Sequence, residues 1–183
     1  MKATGIVRRI DELGRVVIPK EIRRTLRIRE GDPLEIFTDR EGQIILKKYS
    51  PIGELNEFAQ EYCDSLYEST SYTTMISDRD FVIAIAGGSK KEYLDKRISP
   101  ELEKLIENRT GYLTDDNNKP IKITYEDGNL EKYTAQVIAP IVMQGDPIGS
   151  VILVSKEPDT VMGKLEMKLA ETAAGFLSKQ MEN

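Results

Sequence analysis

Arginine is the residue with which this sequence is best equipped to do chemistry, and arginine crowds one end of the chain. Residues 1–50 carry twelve Lys and Arg against eight Asp and Glu, with Arg8, Arg9, Arg15, Arg23, Arg24 and Arg27 among them. A guanidinium keeps its charge at any physiological pH and presents a planar fork that fits phosphate oxygens or the edge of guanine, tasks that lysine performs less well. Residues 51–183 hold fourteen basic against twenty-three acidic residues, so the net charge of −5 divides into +4 on the head and −9 on the body. Charged partners respond to local fields rather than to totals, which makes the head a candidate surface for an anionic polymer. An excess of +4 is also what an ordinary solvated surface carries, so charge alone does not decide.

Other reactive constellations weigh less. The chain has no histidine, which removes the usual general base and the usual zinc ligand. The one cysteine, Cys63, excludes an intrachain disulfide and falls on the apolar face of a helical repeat, where a small buried hydrophobe is the expected role. Gly87-Gly88-Ser89-Lys90-Lys91 resembles a phosphate-cradling loop only superficially, lacks Walker spacing, and reads as a capped turn. Asp78 with Asp80, and Asp115 with Asp116, are paired carboxylates at positions where turn-forming residues are expected. No Ser, Cys or Thr nucleophile can be matched to a base, so no catalytic residue, metal or cofactor is expected.

The arginines must be carried by short elements. Ile6 to Ile10 and Arg15 to Ile18 read as strands of a hairpin around Asp11-Glu12-Leu13-Gly14. Pro19 ends the second strand and suits the first turn of a short helix through Glu21 to Leu26, with Gly31-Asp32-Pro33 behind it. A second hairpin pairs Leu34 to Phe37 with Ile44 to Lys47 across Asp39-Arg40-Glu41-Gly42. This β-β-α-β-β unit buries too little surface to offset its chain entropy unaided. Val16-Val17-Ile18 is apolar on consecutive positions and asks for cover on both faces, which a second copy of the segment supplies.

From Ser50-Pro51 the pattern changes. Ile52, Leu55, Ala59, Tyr62, Cys63 and Leu66 repeat at helical spacing. Tyr72 to Ser77 and Phe81 to Ala86 read as a hairpin, Ser89 to Glu92 as a capping box, and Ser99-Pro100 as the start of a further helix. Ile121, Ile123 and Tyr125 alternate as a strand before a turn at Asp127-Gly128. Tyr133 to Met143 and Ile148 to Ser155 make two strands around Gly145-Asp146-Pro147, the last too apolar to face water on one side. Val161 to Met181 closes the chain as a helix with Met162, Leu165, Leu169, Thr172 and Phe176 as a helix–helix seam, suited to a bundle between subunits with the helix from residue 52. No stretch approaches the roughly 18 apolar residues of a membrane span, and no signal peptide is legible, so a cytoplasmic protein without a membrane partner is expected.

The run Thr4-Gly5-Ile6-Val7-Arg8-Arg9-Ile10-Asp11-Glu12-Leu13-Gly14-Arg15-Val16-Val17-Ile18-Pro19, continued through Glu21-Ile22-Arg23-Arg24-Thr25-Leu26, closely resembles the DNA-binding domain of AbrB-type transition-state regulators. The whole chain resembles stage V sporulation regulators that join such a domain to a C-terminal GAF domain. The second resemblance rests on Ala139-Pro140-Ile141 and on Gly145 to Val151. Together they imply an α+β fold: residues 1–50 as an AbrB-type swapped-hairpin β-barrel formed by two chains, and 51–183 as a GAF-like α/β sensor and oligomerisation domain with flanking helices. By the resemblance, Arg8, Arg15, Arg23 and Arg24 face double-stranded DNA, with Lys2, Arg9 and Lys20 as secondary contacts and Arg27 beside them. It further implies a homodimer through residues 1–50, a homotetramer through the terminal helices, an unidentified small-molecule effector, a nucleoid-associated location and a role in sporulation transcription. The alternative is a MazE-type antitoxin, which shares the swapped-hairpin fold but grips a toxin with an acidic disordered tail.

Overall fold

The computed structural model describes residues 6–52, 56–126 and 133–182, and the chain divides into two compact units that meet at Tyr49 and Ser50. In the first unit, helix α1 (Lys20–Leu26) follows Pro19, whose φ of −55° suits the approach to a helix. Arg27 stops it by taking a left-handed φ of 52°, and Ile28 N–H then returns to the Arg23 carbonyl at 2.8 Å. Strands β1 (Leu34–Thr38) and β2 (Ile44–Lys48) pair antiparallel, with Ile36 opposite Leu46. The loop between α1 and β1 is tied to β2. The Lys48 ammonium donates to the Arg27 carbonyl at 3.2 Å and lies 3.6 Å from the nearly buried Asp32 carboxylate.

The first expected hairpin is present only as its turn. Asp11 N–H reaches the Arg15 carbonyl at 3.0 Å, but residues 6–10 and 15–18 belong to no ladder among the described residues. The physical reason is legible in their side chains: Val7 is 91% exposed and Val17 70%, so these segments have apolar faces left uncovered among the described residues.

The second unit is built on a five-stranded antiparallel sheet ordered β4-β3-β7-β6-β5, from β3 (Thr73–Asp78), β4 (Val82–Ala86), β5 (Tyr112–Leu113), β6 (Ala135–Met143) and β7 (Asp146–Ser155). Strand alternation sends Ile76, Val137, Val151 and Leu153 to one core with Ala59, Cys63 and Leu66 of α2 (Asn56–Thr70) and with Ala170, Ala173 and Leu177 of α5 (Lys164–Met181). Met75, Ile138, Ile152 and Val154 point the other way, to a second core closed by Tyr93 of α3 (Lys90–Tyr93) and by Leu102 and Ile106 of α4 (Pro100–Glu107). Burial on both faces is why β7 reads as an unbroken apolar run.

Several expectations change here. Residues 121–125 are reduced to a single antiparallel bridge, Thr124 opposite Ile98, with Tyr125 N–H donating to the Arg97 carbonyl at 2.9 Å, and at Ile121 a side chain replaces the ladder. The buried Gln136 amide accepts from Ile121 N–H at 2.9 Å and donates to its carbonyl at 3.1 Å, while Ser99 N–H takes the Ile123 carbonyl. The turn expected at Asp127-Gly128 lies outside the described residues, as does Leu55. Ser99 caps α4 as expected, its hydroxyl oxygen accepting Leu102 N–H at 3.0 Å, but Ser89 makes no such bond and α3 is a single turn. The β6–β7 connection is a two-residue turn at Gln144 and Gly145, φ 49° and 92°, which leaves Asp146 and Pro147 inside β7.

Helix α5 begins at Lys164 rather than Val161 and splits the expected seam: Met162, just before the helix, is buried in the first core, Leu169 is half-buried, and Leu165, Thr172 and Phe176 face outward. Its small residues, Ala170, Ala173 and Ala174, approach the sheet closely, and Ser178 donates to the Val142 carbonyl at 2.7 Å. Leu165 stays 68% exposed, and Phe176 packs beside Phe58 and Tyr62 of α2 with ring centroids 5.6 and 5.5 Å apart.

Candidate nucleic-acid interface

The 11–15 turn is made by one aspartate. Asp11 Oδ1 accepts the N–H groups of Leu13 and Arg15 at 3.0 and 2.8 Å, Gly14 supplies a φ of +77°, and Gly14 N–H returns to the Asp11 carbonyl at 3.0 Å. The carboxylate's second oxygen takes Arg15 Nε–H at 2.7 Å, while the Arg15 side chain stays 70% exposed. The Arg15 backbone N–H foremost, then its guanidinium, holds the Asp11 carboxyl below the usual carboxylate range.

Arg23 and Arg24 sit at consecutive positions of α1, a helix with no buried residue, so both side chains project into solvent about 100° apart around its axis. Arg8, Arg9 and Lys20 are likewise exposed. Among the described residues, none of these five takes part in an ion pair, whereas Arg15 does. Arg27 is half-buried at the end of α1, and Lys2 lies outside the described residues. Arg15, Arg23 and Arg24 are thus presented by two devices, an aspartate turn and an exposed helical turn, and each offers a fork to a polyanion. Among its described residues the same unit exposes twelve large apolar side chains, from Leu46 at 42% to Val7 at 91%.

In the second unit the acidic pairs do turn work. Asp78 accepts from the N–H groups of Asp80 and Phe81 at 2.7 and 2.6 Å and from the Ser50 hydroxyl at 3.1 Å, and burial pushes its carboxyl up. Asp115 accepts from the N–H groups of Asn117 and Asn118, which hold its carboxyl down. Cys63 is buried, and burial pushes its thiol up. No group of three metal-ligating residues occurs among the described residues, and no helix there is long and apolar enough to cross a membrane. Sequence reasoning passed over one polar feature of the second core. The Tyr93 and Tyr133 hydroxyls hydrogen-bond at 2.5 Å, and the Lys156 ammonium lies 5.8 and 5.9 Å from the two ring centroids. Alternation in the sequence cannot reveal such a pair, because Tyr93 and Tyr133 lie forty residues apart.

Residues 54–182 match the family model of the stage V sporulation protein T C-terminal region, described as a transcription factor, and residues 7–54 match the MazE antitoxin family of toxin-recognition antidotes. Stage V sporulation protein T of Bacillus subtilis is 58% identical over 182 residues, spanning all of this chain and 99% of that protein. The transition state regulatory protein AbrB of the same organism is 71% identical over 51 residues, 28% of this chain and 52% of AbrB. The GAF domain of a phosphoenolpyruvate-protein phosphotransferase from Coxiella burnetii, 16% identical, aligns with 70% of this chain and 82% of its own length at a TM-score of 0.57, a likeness of fold.

Proposed function

Since the chain belongs to the stage V sporulation protein T family, we propose that this transcription factor of sporulation, with its AbrB-like DNA-binding unit, contacts double-stranded DNA through Arg8, Arg15, Arg23 and Arg24, with Lys2, Arg9 and Lys20 as outlying contacts. The observation that carries this reading is the coincidence of exposed forks and exposed apolar side chains on one small unit. Residues 1–50 then fold by interleaving with a second copy, and residues 51–183 form the sensing and assembly domain. Dimerisation and DNA binding become one event, since the residues that need a partner to fold are those that carry the arginines.

A second level of assembly is supported by the exposed apolar side chains of α5, Leu165 and Phe176, with Leu169 half-buried between them and Phe176 beside Phe58 and Tyr62 of α2. Two dimers joined there make a tetramer. The GAF-like fold favours sensing of a small effector by the second unit, and a transcription regulator acts in the cytoplasm on the nucleoid. Antitoxin action is the weaker reading: the residues after 50 form a sheet with two cores rather than the acidic disordered tail that a MazE-type antitoxin uses.

Titration of a fluorescent duplex with the full chain, alongside native mass spectrometry, tests these readings together. Val17→Asp should give a protein whose second unit still melts cooperatively but which neither dimerises through residues 1–50 nor binds DNA. Leu165→Glu should halve the assembled mass and leave each dimer able to bind. A folded monomer that binds DNA as tightly as the wild type would overturn the coupling. A ligand retained through native mass spectrometry would name the effector class.

A further inference from the structure

Two turns in the first unit share one construction and differ in one bond. At residues 11–15 and 39–43 an aspartate precedes by three positions a glycine of positive φ, +77° at Gly14 and +82° at Gly42. In each, Oδ1 of the aspartate accepts the backbone N–H groups two and four residues on, at 3.0 and 2.8 Å from Asp11 and at 2.9 and 2.8 Å from Asp39. In each, the aspartate N–H reaches the carbonyl four residues on, at 3.0 and 3.2 Å. The second turn achieves this while the Gln43 side chain goes elsewhere, to Glu41 at 3.2 Å. The backbone therefore has no need of the other oxygen of Asp11, which accepts Nε–H of Arg15 at 2.7 Å.

We infer that Asp11 is a positioning residue for DNA recognition, holding the Arg15 guanidinium by its Nε edge so that its terminal amino groups meet DNA already oriented. The inference rests on the reading that Arg15 contacts DNA. Of the five N–H donors of a guanidinium, one is engaged here, and the rest of the fork remains for a bidentate partner. Fixing the fork before binding removes rotamer entropy that would otherwise be lost in the complex. The carboxylate also subtracts charge beside Arg15, which weakens attraction to any phosphate. Asp11 thus trades affinity for DNA in general against discrimination among sequences, since a fork read against a base edge depends on orientation and phosphate attraction does not.

The test is Asp11→Asn in the full chain. Asparagine keeps Oδ1 for the two backbone N–H groups and so keeps the turn, but its Nδ2 cannot accept from Arg15. Affinity is measured for a duplex selected from a random pool by the wild-type protein and for a scrambled duplex of the same length and composition. The ratio of the two should fall roughly 5- to 10-fold, the lower part of what one bidentate contact discriminates, while binding of the scrambled duplex holds or tightens. Asp39→Asn, the same change in the other turn, should leave the ratio alone, and Arg15→Ala should abolish the effect of Asp11→Asn. An unchanged ratio in Asp11→Asn overturns the inference, as does an equal fall in Asp39→Asn or in the Arg15→Ala background. If Arg15→Ala alone leaves both affinities unchanged, the reading of Arg15 itself fails.

Discussion

Replacing Arg23 with alanine separates DNA binding from folding. The Arg23 side chain is exposed on a helix with no buried residue and makes no ion pair among the described residues. Its backbone N–H to the Pro19 carbonyl at 2.9 Å, and its carbonyl accepting Ile28 N–H at 2.8 Å, survive the substitution. Alanine is also the better helix former, so stability should stay within about 0.5 kcal/mol of the wild type. On DNA the consequence is different. If each chain sets Arg23 on one phosphate, a dimer loses two contacts, each contributing about 0.9 to the slope of log affinity against log salt, so the slope becomes shallower by about 1.8. Between 50 and 200 mM salt the gap between wild type and variant should then close by roughly 12-fold. Fluorescence anisotropy with a labelled duplex across that range measures the slope, and a urea melt of the same samples measures stability. Unchanged affinity with an unchanged slope would refute the assignment of Arg23 to the DNA-facing surface.

Three further outcomes follow from the second unit. Gly149→Ala places a Cβ 2.1 Å from the Ser77 carbonyl oxygen on the neighbouring strand, so β3 and β7 must part; a loss of about 2 kcal/mol or more is expected in a urea melt, and an unshifted midpoint would show that the ladder can slide. Burial raises the Asp78 carboxyl in the folded state above its unfolded value, so its contribution to stability falls as pH rises through the carboxylate range; Asp78→Asn should flatten that stretch of the stability profile, and a profile parallel to the wild type would contradict the cause given. The Cys63 thiol, fully buried and pushed up by burial, should resist iodoacetamide in the native protein and react only in denaturant; a native rate near that of free cysteine would show that α2 opens.

The parts of this molecule legible from sequence are those fixed by neighbouring residues. Asp-x-x-Gly marks both turns of the first unit, Ser99-Pro100 marks the start of α4, and the apolar run of β7 announces burial on both faces. What escaped depends on distant groups. Residues 121–125 alternate as a strand should, yet they make one bridge, Thr124 to Ile98, and at Ile121 the Gln136 amide, fifteen residues away, takes the place of a neighbouring strand. Helix α5 carries two stripes at helical spacing, and a count of large apolar residues favours Leu165, Leu169 and Phe176, whereas the sheet takes Ala170, Ala173, Ala174 and Leu177 because a close approach suits small side chains. For the interface, the resemblance named the arginines, but neither it nor the pattern disclosed that Asp11 holds Arg15, since a charged residue four positions from an arginine is as often solvent-facing as paired.

The two-sided helix α5 also bears on how such a protein can change over generations. Its alanine stripe answers to the sheet, Phe176 answers to Phe58 and Tyr62 of α2, and Leu165 answers to solvent. A lineage can therefore alter Leu165 without disturbing the core, whereas Phe176 must keep a partner for Phe58 and Tyr62 and drift at Ala173 is stopped by the strands beneath it. The exposed and the core-facing sides of one helix are separately heritable.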